Sequence, residues 1–346
     1  MYYISRNYKS LFNAAGKAKT DCEFVFEKLG FKNLGFKQSS IPNSAIGTIK
    51  NFFGIFMALL RLPKKSTIVT QYPNNKFRGM ILFFSKMKRC KIITLVHDVR
   101  ILKGRTKDVE AELNQIITSD VIIVHNPSMK QWFLEQGVVI PIIVLEIFDY
   151  VSEKKPMQNS NRILNNTYDI AYAGGFGDGK NSYIFDFDTL ENSNYNLRLY
   201  GIGFDPNKRK VEEEASVVYY EGVFKSDEVA YKIESDFGLV WDGISTETCS
   251  GNYGAYLKFN NPHKTSLYLL CGLPIIIWDK AALAGFVKEN NIGITVSNLK
   301  DLNTILDNLS DTAYKDMKQN VADIQTKVMS GYFVETAVKK ALDILV

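Results

Sequence analysis

The segment with the richest chemistry is a glycine-rich run that directly follows a predicted strand. It reads Gly174-Gly175-Phe176-Gly177-Asp178-Gly179-Lys180-Asn181. Glycines placed there let backbone N–H groups approach a phosphate closely. The run nearly matches the phosphate loop of P-loop NTPases, but Asn181 stands where a magnesium-binding hydroxyl is required. We interpret it as a nucleotide-sugar loop, with a P-loop and a plain glycine-rich turn as the alternatives.

A second cluster precedes a short predicted helix at residues 266–271, and it reads Asn260-Asn261-Pro262-His263-Lys264-Thr265. We expect Asn or His to cap this helix, so that backbone N–H donors and the positive end of the helix dipole face outward. Lys264 is unfavourable beside that positive end unless an anion lies between them. The pattern therefore predicts a diphosphate site, and the alternative is an exposed lysine without a role.

His97 and Asp98 stand at the end of a strand predicted at residues 91–97. Ligands in parallel α/β sheets bind beyond the carboxyl ends of the strands. We expect Asp98 to accept a proton in catalysis, with His97 as the second choice and a capped turn as the alternative for the pair. His125 ends the next predicted strand, and we expect it to be structural.

A third acidic pattern, Asp186-Phe187-Asp188, reproduces the D-x-D of many metal-dependent glycosyltransferases. Its segment has little strand character, so we interpret it as a surface turn or the start of a helix. The four cysteines are scattered and form no C-x-x-C pair. That spacing argues against a disulfide framework and a zinc site, and it fits a reducing cytoplasm. We expect no metal site and no cofactor.

The elements that must position these residues alternate between short apolar strands and longer helices. Strands are predicted at residues 2–5, 67–71, 91–97, 121–125 and 142–146, and again at 168–173, 196–200, 217–220, 237–241, 274–278 and 293–296. Helices are predicted at residues 10–29, 45–60, 77–88, 107–118, 128–136 and 332–345. This alternation predicts an α/β protein with two doubly wound parallel sheets and ligands held in a cleft between two domains.

A polar stretch near residues 149–167 interrupts the alternation and predicts a linker. We therefore expect a first domain at residues 1–150, a linker at 151–167 and a second domain at 168–330. Residues 331–346 would form a closing helix.

Composition narrows the class of protein. The chain has 346 residues, of which 46% are hydrophobic and 23% charged, a balance that fills two globular cores. The sequence has no apolar run long enough to span a bilayer, and we expect no secretory leader. The net charge of +5 is mild, and no nucleic-acid-binding motif accompanies it. Basic residues concentrate in the first third, which indicates a solvated face or an attraction to an anionic membrane surface or acceptor.

Several blocks in this order resemble a bacterial family of GT-B glycosyltransferases. They are Lys17-Ala18-Lys19, Val96-His97-Asp98-Val99, Asn126-Pro127-Ser128, Phe237-Gly238-Leu239-Val240-Trp241-Asp242, and the stretch from His263-Lys264 through Cys271-Gly272-Leu273-Pro274-Ile275-Ile276. The family includes β-1,6-galactofuranosyltransferases of surface polysaccharides and streptococcal glucosyltransferases that act on serine-rich adhesins.

The resemblance implies two Rossmann-like domains, with the acceptor held mainly by the first and the donor by the second. The closing helix would cross back onto the first domain. A UDP-linked hexose would be the donor, and no metal would be obligatory. Lys264 would contact the diphosphate, and Lys17 would lie on the acceptor side. Further donor contacts would come from Gly174, Gly175, Phe176, Gly201, Gly203, Gly222, Phe224, Asp242, Asn261, His263 and Thr265.

Leu267 replaces the second glutamate of a pair that many retaining GT-B enzymes carry, so the resemblance implies inversion at the anomeric carbon. We expect a cytoplasmic homo-oligomer that acts on a glycan, lipid-linked glycan or glycoprotein, with peripheral contact at the inner face of the membrane as an option. The rival functions are a nucleotide-dependent kinase or ATPase and a partner subunit that binds but does not transfer.

Overall fold

The structure is a computed structural model, and it describes residues 1–5, 14–35, 45–73, 77–156, 167–190 and 194–346. The chain forms two compact units. The first comprises Met1–Asp149 together with Gly331–Val346, and the second comprises Tyr150–Ser330. Among the described residues, no helix is both long enough and apolar enough to cross a bilayer.

The first unit contains a six-stranded parallel sheet in the order β2-β1-β3-β4-β5-β6. Its strands are β1 (Tyr2–Tyr3), β2 (Lys32–Asn33), β3 (Thr67–Tyr72), β4 (Lys91–Val96), β5 (Val121–Val124) and β6 (Ile142–Val144). Its helices are α1 (Ala14–Lys28), α2 (Ala45–Arg61), α3 (Arg78–Met87), α4 (Val109–Ile117), α5 (Pro127–Glu135) and the closing helix Tyr332–Leu345. The apolar runs of β4 and β5 are buried along nearly their whole length, as expected for strands covered on both faces.

The second unit also contains a six-stranded parallel sheet, in the order β12-β11-β10-β7-β8-β9. Its strands are β7 (Tyr168–Ala173), β8 (Tyr195–Tyr200), β9 (Val218–Gly222), β10 (Phe237–Val240), β11 (Ile275–Trp278) and β12 (Gly293–Val296). Its α-helices are α6 (Gly251–Tyr256), α7 (His263–Leu270), α8 (Ala284–Glu289), α9 (Leu302–Asp307) and α10 (Asp311–Ser330), so the closing helix is α11. The longest 3₁₀ helix is Ser182–Thr189.

Each sheet has a switch point, where the direction of winding reverses between two neighbouring strands. It lies between β1 and β3 in the first unit and between β7 and β10 in the second. The carboxyl ends of such a strand pair leave a crevice that is not covered by a crossover connection, and ligands bind there. The two switch points are therefore the places where the topology favours chemistry.

Helix α7 is held against the second sheet by one close contact. Gly238 of β10 has no side chain, and a Cβ there would lie 2.2 Å from a ring carbon of Tyr268. The ring occupies that space, and its hydroxyl accepts a hydrogen bond from the Ala173 N–H at 2.7 Å. This contact sets the position of α7 relative to the carboxyl end of β7.

Helix α11 is anchored by a buried carboxylate of the first unit. Asp149 accepts hydrogen bonds from the backbone N–H groups of Phe333 at 3.2 Å and Val334 at 2.7 Å. Both donors belong to the first turn of the helix, whose N–H groups have no partner within it. An acidic side chain at this end also interacts favourably with the helix dipole.

The fold class predicted from the sequence is confirmed, since both sheets are parallel and doubly wound. The bounds predicted for β7 and β12 agree with the structure, and the other predicted strands differ by one or two residues at one end or, for β9, at both ends. The two-residue strand β2 was not predicted, because two residues carry no periodicity. Residues 10–13 of the first predicted helix and much of the predicted linker lie outside the described residues.

Candidate active site

A compact polar cluster lies at the switch point of the second unit, and we call it the lysine cluster. Lys264 Nζ is 2.9 Å from Asp242 Oδ1, which also accepts a hydrogen bond from the Tyr172 hydroxyl at 3.0 Å. The same ammonium is 4.0 Å from the centroid of the Tyr172 ring. The lysine thus gains both an ion pair and a cation–π contact.

Three elements bring this cluster together. Tyr172 lies in β7, Asp242 is two residues beyond the end of β10, and Lys264 is in the first turn of α7. Burial strongly raises the pKa of the Tyr172 hydroxyl, and the neighbouring Asp242 carboxylate adds to that rise. The hydroxyl therefore stays protonated and acts as a donor to Asp242.

The alternative interpretation of Lys264, an exposed lysine without a role, is wrong about its exposure. Its side chain is 9% exposed and that of Asp242 is 11% exposed. The aspartate offsets the lysine's charge beside the positive end of α7, which the sequence pattern alone did not reveal. Breaking a pair buried to this degree costs about 3–5 kcal/mol, because the remaining charge is left in a poorly solvated place.

The predicted caps of α7 are also wrong. Pro262 occupies the N-cap position and makes no side-chain hydrogen bond to the helix, because it lacks a suitable acceptor. Asn261 and Thr265 are buried on either side of the first residue of α7. Thr265 Oγ1 has no hydrogen-bond partner among the described residues. The His263 ring stacks on Tyr150 with centroids 4.8 Å apart.

The backbone of the glycine-rich loop after β7 packs directly against the backbone of the loop after β8. The Gly174 N–H donates to the Tyr200 carbonyl at 2.9 Å, and the Phe176 N–H donates to the Ile202 carbonyl at 2.8 Å. The predicted donor loops at 174–176 and 201–203 are thus brought together as neighbours at one end of the sheet.

Glycine is required in the second of these loops. Gly201 and Gly203 have φ angles of +146° and +96°, and a Cβ at these positions would lie 1.7 Å from the Gly174 oxygen and 2.6 Å from the Phe176 oxygen. The Gly201 N–H also donates to the carbonyl of Gly222 at the end of β9, at 2.8 Å. These glycines are therefore explained by backbone packing, whatever else the loops bind.

Asn181 shapes the first loop and excludes a P-loop. Its buried side chain donates to the Gly175 carbonyl and the Tyr172 hydroxyl, both at 3.0 Å, and accepts from the Gly177 N–H at 3.0 Å. In a P-loop the corresponding hydroxyl binds magnesium and opens an α-helix. Here an amide occupies the place and a 3₁₀ helix, Ser182–Thr189, follows. The P-loop reading of this segment is therefore wrong.

Aromatic rings gather beside the two loops. Phe204 stacks on Tyr220 with centroids 4.9 Å apart, and Phe176 meets Phe204 edge-on at 5.9 Å. Phe224, predicted as a donor contact, lies 6.3 Å from the Tyr200 ring. Phe204 and Tyr220 were not identified from the sequence, because they lie at least 23 positions beyond the glycine run.

In the first unit, the two candidate bases follow β4. His97 Nε2 lies 2.7 Å from Gln71 Oε1, and its ring stacks on Phe148 with centroids 5.1 Å apart. The Asp98 carboxylate is 2.5 Å from Lys103 Nζ, and its side chain is 30% exposed. The sequence analysis did not identify Lys103 as this partner, because nothing in its spacing pointed to Asp98.

A second polar network, which we call the glutamate network, lies at the switch point of the first unit. Glu23 accepts hydrogen bonds from the Ser5 hydroxyl at 2.7 Å and from Gln71 Nε2 at 3.3 Å. Gln71 extends the network to His97. The walls of a small pocket include Glu23, Gln71 and Lys19. Glu23 and Gln71 were not singled out from the sequence, because they are 48 positions apart.

Two other predicted residues have partners in the first unit. Lys17, expected on the acceptor side, is buried in α1 with its Nζ 2.5 Å from Asp21 Oδ1. His125 is buried edge-on against Phe148, with centroids 4.9 Å apart. Burial lowers the pKa of His125 to about 4, so the imidazole is neutral at pH 7. This fits the structural role expected for it.

The D-x-D carboxylates make contacts within the second unit. Asp188 accepts hydrogen bonds from the Ser216 hydroxyl at 2.9 Å and the Val217 N–H at 2.8 Å, and Asp186 pairs with Lys210. They lie in the 3₁₀ helix rather than on a buried strand. In the described part of the chain, no group of three or more His, Cys, Asp or Glu is arranged to hold a metal ion.

Comparison with known proteins gives consistent matches along the chain. Residues 1–147 match the N-terminal domain and residues 170–341 the C-terminal domain of the family described as glucosyltransferase 3-like. The β-1,6-galactofuranosyltransferase WbbI of Escherichia coli (strain K12) is 30% identical over 346 residues, which cover 99% of this chain and 98% of that protein.

Two further matches agree with these. Glucosyltransferase 3 of Streptococcus gordonii is 24% identical over 338 residues, covering 94% of this chain and 95% of that protein. Among solved structures, the lipopolysaccharide outer core galactosyltransferase WaaB is similar over 100% of both chains, with a TM-score of 0.63 and 10% sequence identity. At that identity the structural match bears on the fold alone.

Proposed function

Since the chain belongs to the glucosyltransferase 3-like family of GT-B hexosyltransferases, we propose that it transfers galactofuranose or glucose from a UDP-sugar with inversion of the anomeric carbon. The acceptor would be a glycan, a lipid-linked glycan or a glycosylated protein of the bacterial cell surface. The second unit would bind the donor, and the first would bind the acceptor and supply the base.

The observation that carries the proposal is the lysine cluster. A cation is held at the start of α7 and beyond the carboxyl ends of β7 and β10, where nucleotides bind in such sheets. A nucleoside diphosphate gains negative charge as it departs, and fixed positive charge stabilises that change. Lys264 and the first N–H groups of α7 supply such charge without a metal.

The two partners of Lys264 have a positioning role in this proposal. Asp242 and Tyr172 fix the ammonium by an ion pair at 2.9 Å and a ring contact at 4.0 Å. When the diphosphate binds, its oxygens become further partners of the same ammonium. A cation already held in place needs little reorganisation during the reaction.

The remaining predicted donor contacts surround this position. The loops at 174–176 and 201–203 would approach the phosphates through their backbone, and Gly222 and Phe224 would border the nucleoside. Asn261, His263 and Thr265 flank Lys264 at the start of α7. The Thr265 hydroxyl is fully buried and has no hydrogen-bond partner among the described residues.

In the first unit, Asp98 would remove the proton from the attacking acceptor hydroxyl. The hydroxyl oxygen then bonds to the anomeric carbon as the bond from that carbon to the diphosphate breaks, and UDP leaves from the opposite face. General-base assistance of this kind contributes about 10²–10⁴ in rate. His97 is the alternative base, and Lys17 is proposed on the acceptor side.

We include in the proposal that transfer requires no metal ion, and that the protein is a homo-oligomer with peripheral contact at the inner face of the membrane. Asp186 and Asp188, the only D-x-D of the sequence, make hydrogen bonds or ion pairs with residues of their own unit. That leaves Lys264 as the proposed counter-charge of the diphosphate.

A binding screen followed by a transfer assay tests the function. Thermal shift with UDP, GDP, TDP and ATP should show stabilisation by UDP, and UDP release should then be followed with UDP-galactofuranose and UDP-glucose. Release that requires an acceptor glycoside supports the proposal, and the preferred sugar identifies the donor. Stabilisation by ATP but not UDP would contradict it, and UDP binding without turnover on any acceptor would indicate a partner subunit.

A further inference from the structure

An exposed apolar surface covers two helices of the first unit, and we call it the α2–α3 face. Its exposed large side chains are Ile49, Phe52, Phe53, Met57, Leu60, Phe83 and Met87. The most exposed rings, Phe53 and Phe83, are 56% and 64% exposed. Scattered apolar residues are normal on a protein surface, but a contiguous group of this kind marks an interaction site.

Aromatic contacts join the two helices into a single surface. Phe56 of α2 meets Phe84 of α3 with centroids 6.2 Å apart, and Phe52 lies 5.8 Å from Phe77, just before α3. Lys88, directly after α3, donates to the backbone carbonyls of Leu59, Leu60 and Leu62 at 2.6–2.9 Å. The lysine thereby satisfies the open C-terminal end of α2.

The core of the first unit does not require the outer apolar residues. Inward-facing residues of the same helices already form a buried cluster, which includes Ile55, Leu59, Ile81 and Leu82. Helix α2 is therefore apolar on both sides. An amphipathic surface helix of a soluble protein would instead be polar on its outer side.

The charged residues in the part of the sequence that forms this face are all basic. Between Glu27 and Asp98 the sequence contains thirteen Lys and Arg and no Asp or Glu. Five of these basic residues are exposed near the ends of α2 and α3, namely Arg61, Lys64, Lys65, Lys86 and Arg89. Two copies meeting through this face would bring like charges together, whereas an anionic surface would be attracted to it.

We propose that the α2–α3 face binds the surface of an anionic bilayer, with its phenylalanine and methionine side chains among the lipid headgroups and acyl chains and its basic residues beside the lipid phosphates. Apolar side chains that enter the headgroup boundary, flanked by Lys and Arg, are what a protein lying on a membrane requires. The contact is peripheral, since α2 has 17 residues and includes Lys50 and Arg61.

This inference rests on the proposed function in one respect, because it places the first unit where a lipid-linked acceptor is anchored. The membrane contact can be measured without any transfer. Failure of hexose transfer would therefore count against the proposed function, whereas failure of vesicle binding would count against the α2–α3 face alone.

Co-sedimentation of the full chain with phosphatidylcholine vesicles, with and without phosphatidylglycerol, tests the proposal. The protein should pellet with the anionic vesicles, and high salt should weaken that binding because the charge attraction is screened. No binding to phosphatidylglycerol vesicles at low salt would overturn the proposal.

Matched variants identify the surface. Phe53→Gln/Phe83→Gln should lower the vesicle partition coefficient on the order of tenfold, because two apolar side chains no longer enter the bilayer. Leu134→Gln/Val139→Gln, which replaces two other exposed apolar residues of the first unit, should leave it unchanged. Equal effects of the two pairs would overturn the assignment.

The basic residues are tested in the same way. Lys64→Gln/Lys65→Gln/Arg89→Gln should weaken binding to anionic vesicles by roughly fivefold per charge removed. Lys288→Gln/Lys315→Gln/Lys340→Gln removes the same charge from exposed positions elsewhere and should have little effect. Light scattering that showed a wild-type dimer and a monomeric Phe53→Gln/Phe83→Gln variant would identify a second copy as the occupant and contradict the proposal.

Discussion

The switch points of the two parallel sheets hold opposite kinds of chemistry, and the sheets themselves differ in strand order. In the second unit the polar centre is a cation, Lys264, held by Asp242 and a tyrosine hydroxyl. In the first unit it is a carboxylate, Glu23, which accepts hydrogen bonds from a serine and a glutamine. A lysine at the start of a helix suits an anion, whereas a carboxylate linked to an imidazole through an amide suits hydroxyl groups.

The loops beside these two polar centres also differ, because one unit presents backbone and the other presents side chains. The second unit has glycine-rich loops, in which Gly201 and Gly203 allow the backbones to meet. In the first unit the corresponding polar groups are side chains. His97 and Asp98 follow β4; His97 forms a hydrogen bond with Gln71, and Asp98 forms an ion pair with Lys103. Backbone loops bind phosphates of any nucleotide, whereas side chains distinguish one sugar hydroxyl from another. We therefore propose that the first unit selects the acceptor.

The largest effect should come from the proposed base. Asp98→Asn should lower kcat by about 10²–10⁴ while the Kd for UDP stays the same, because the amide keeps the shape but cannot take a proton. Asp120→Asn is the matched control, since Asp120 binds Lys91 and the Ile92 N–H at the other end of β4. If Asp98→Asn keeps its activity and His97→Ala loses it, the base is His97.

The next largest effect should follow removal of the cation. Lys264→Met should lower kcat/KM by about 10²–10³ and weaken UDP binding, because the departing diphosphate loses its counter-charge. The variant should also unfold more readily, since Asp242 is left nearly buried without its ion pair. Isothermal titration with UDP and urea denaturation would measure the two effects separately.

Two further variants separate binding from folding at this position. Lys264→Met/Asp242→Asn removes both charges and should regain much of the lost stability without regaining UDP affinity. Lys318→Met changes a half-buried lysine beyond the other end of α7, where it donates to the Gly272 carbonyl at 2.7 Å. UDP affinity that is equal in Lys264→Met and Lys318→Met would remove Lys264 from the donor site.

A smaller effect concerns the first unit, whose free energy of unfolding should depend on pH through His125. Burial lowers the pKa of His125 from 6.5 to about 4, so its neutral form stabilises the first unit fully above pH 6.5, and this stability is lost as the pH falls towards 4. Between pH 7 and pH 5 the loss should be about 2 kcal/mol. Urea denaturation of wild type and His125→Gln should show a shallower pH dependence in the variant, and parallel curves would contradict the assignment.

The smallest expected effect concerns metal ions. Hexose transfer should be unchanged by excess EDTA, because Lys264 and the start of α7 are proposed to offset the diphosphate charge. Asp188→Asn should cost about 1 kcal/mol of stability through its bonds to Ser216 and Val217, with no change in the response to chelator. Complete loss of transfer in EDTA, restored by manganese, would contradict the metal-free proposal.

Much of the fold was predictable because continuous apolar runs mark strands that are covered on both faces. Strand β7 and strand β12 were predicted at their observed bounds. Lys264 was identified as a candidate donor residue from its place at the start of a predicted helix, and Asp242 from the resemblance to the GT-B family. Their direct pairing was not, because a separation of 22 positions carries no local periodicity.

Other parts of the candidate site could not be predicted from the sequence, and each has a specific physical reason. Tyr172 lies within a buried strand and resembles any core aromatic, so its bond to Asp242 could not be inferred. Glu23 lies in a helix and acts through residues of two distant strands. The cap of α7 was misassigned because Pro262, which fills the position, has a suitable backbone angle but no side-chain acceptor.

The absent side chain of Gly238 has a consequence for how this protein tolerates sequence variation. Any larger residue would meet the Tyr268 ring at 2.2 Å and push α7, with Lys264, away from the sheet. A library of substitutions scored by hexose transfer would therefore mark position 238 as strongly as the lysine itself, although it lies in the middle of a buried strand. If protein abundance were scored together with transfer, substitutions at position 238 would be seen to lower the amount of folded protein. The second score therefore separates positions needed for folding from positions that contact a ligand.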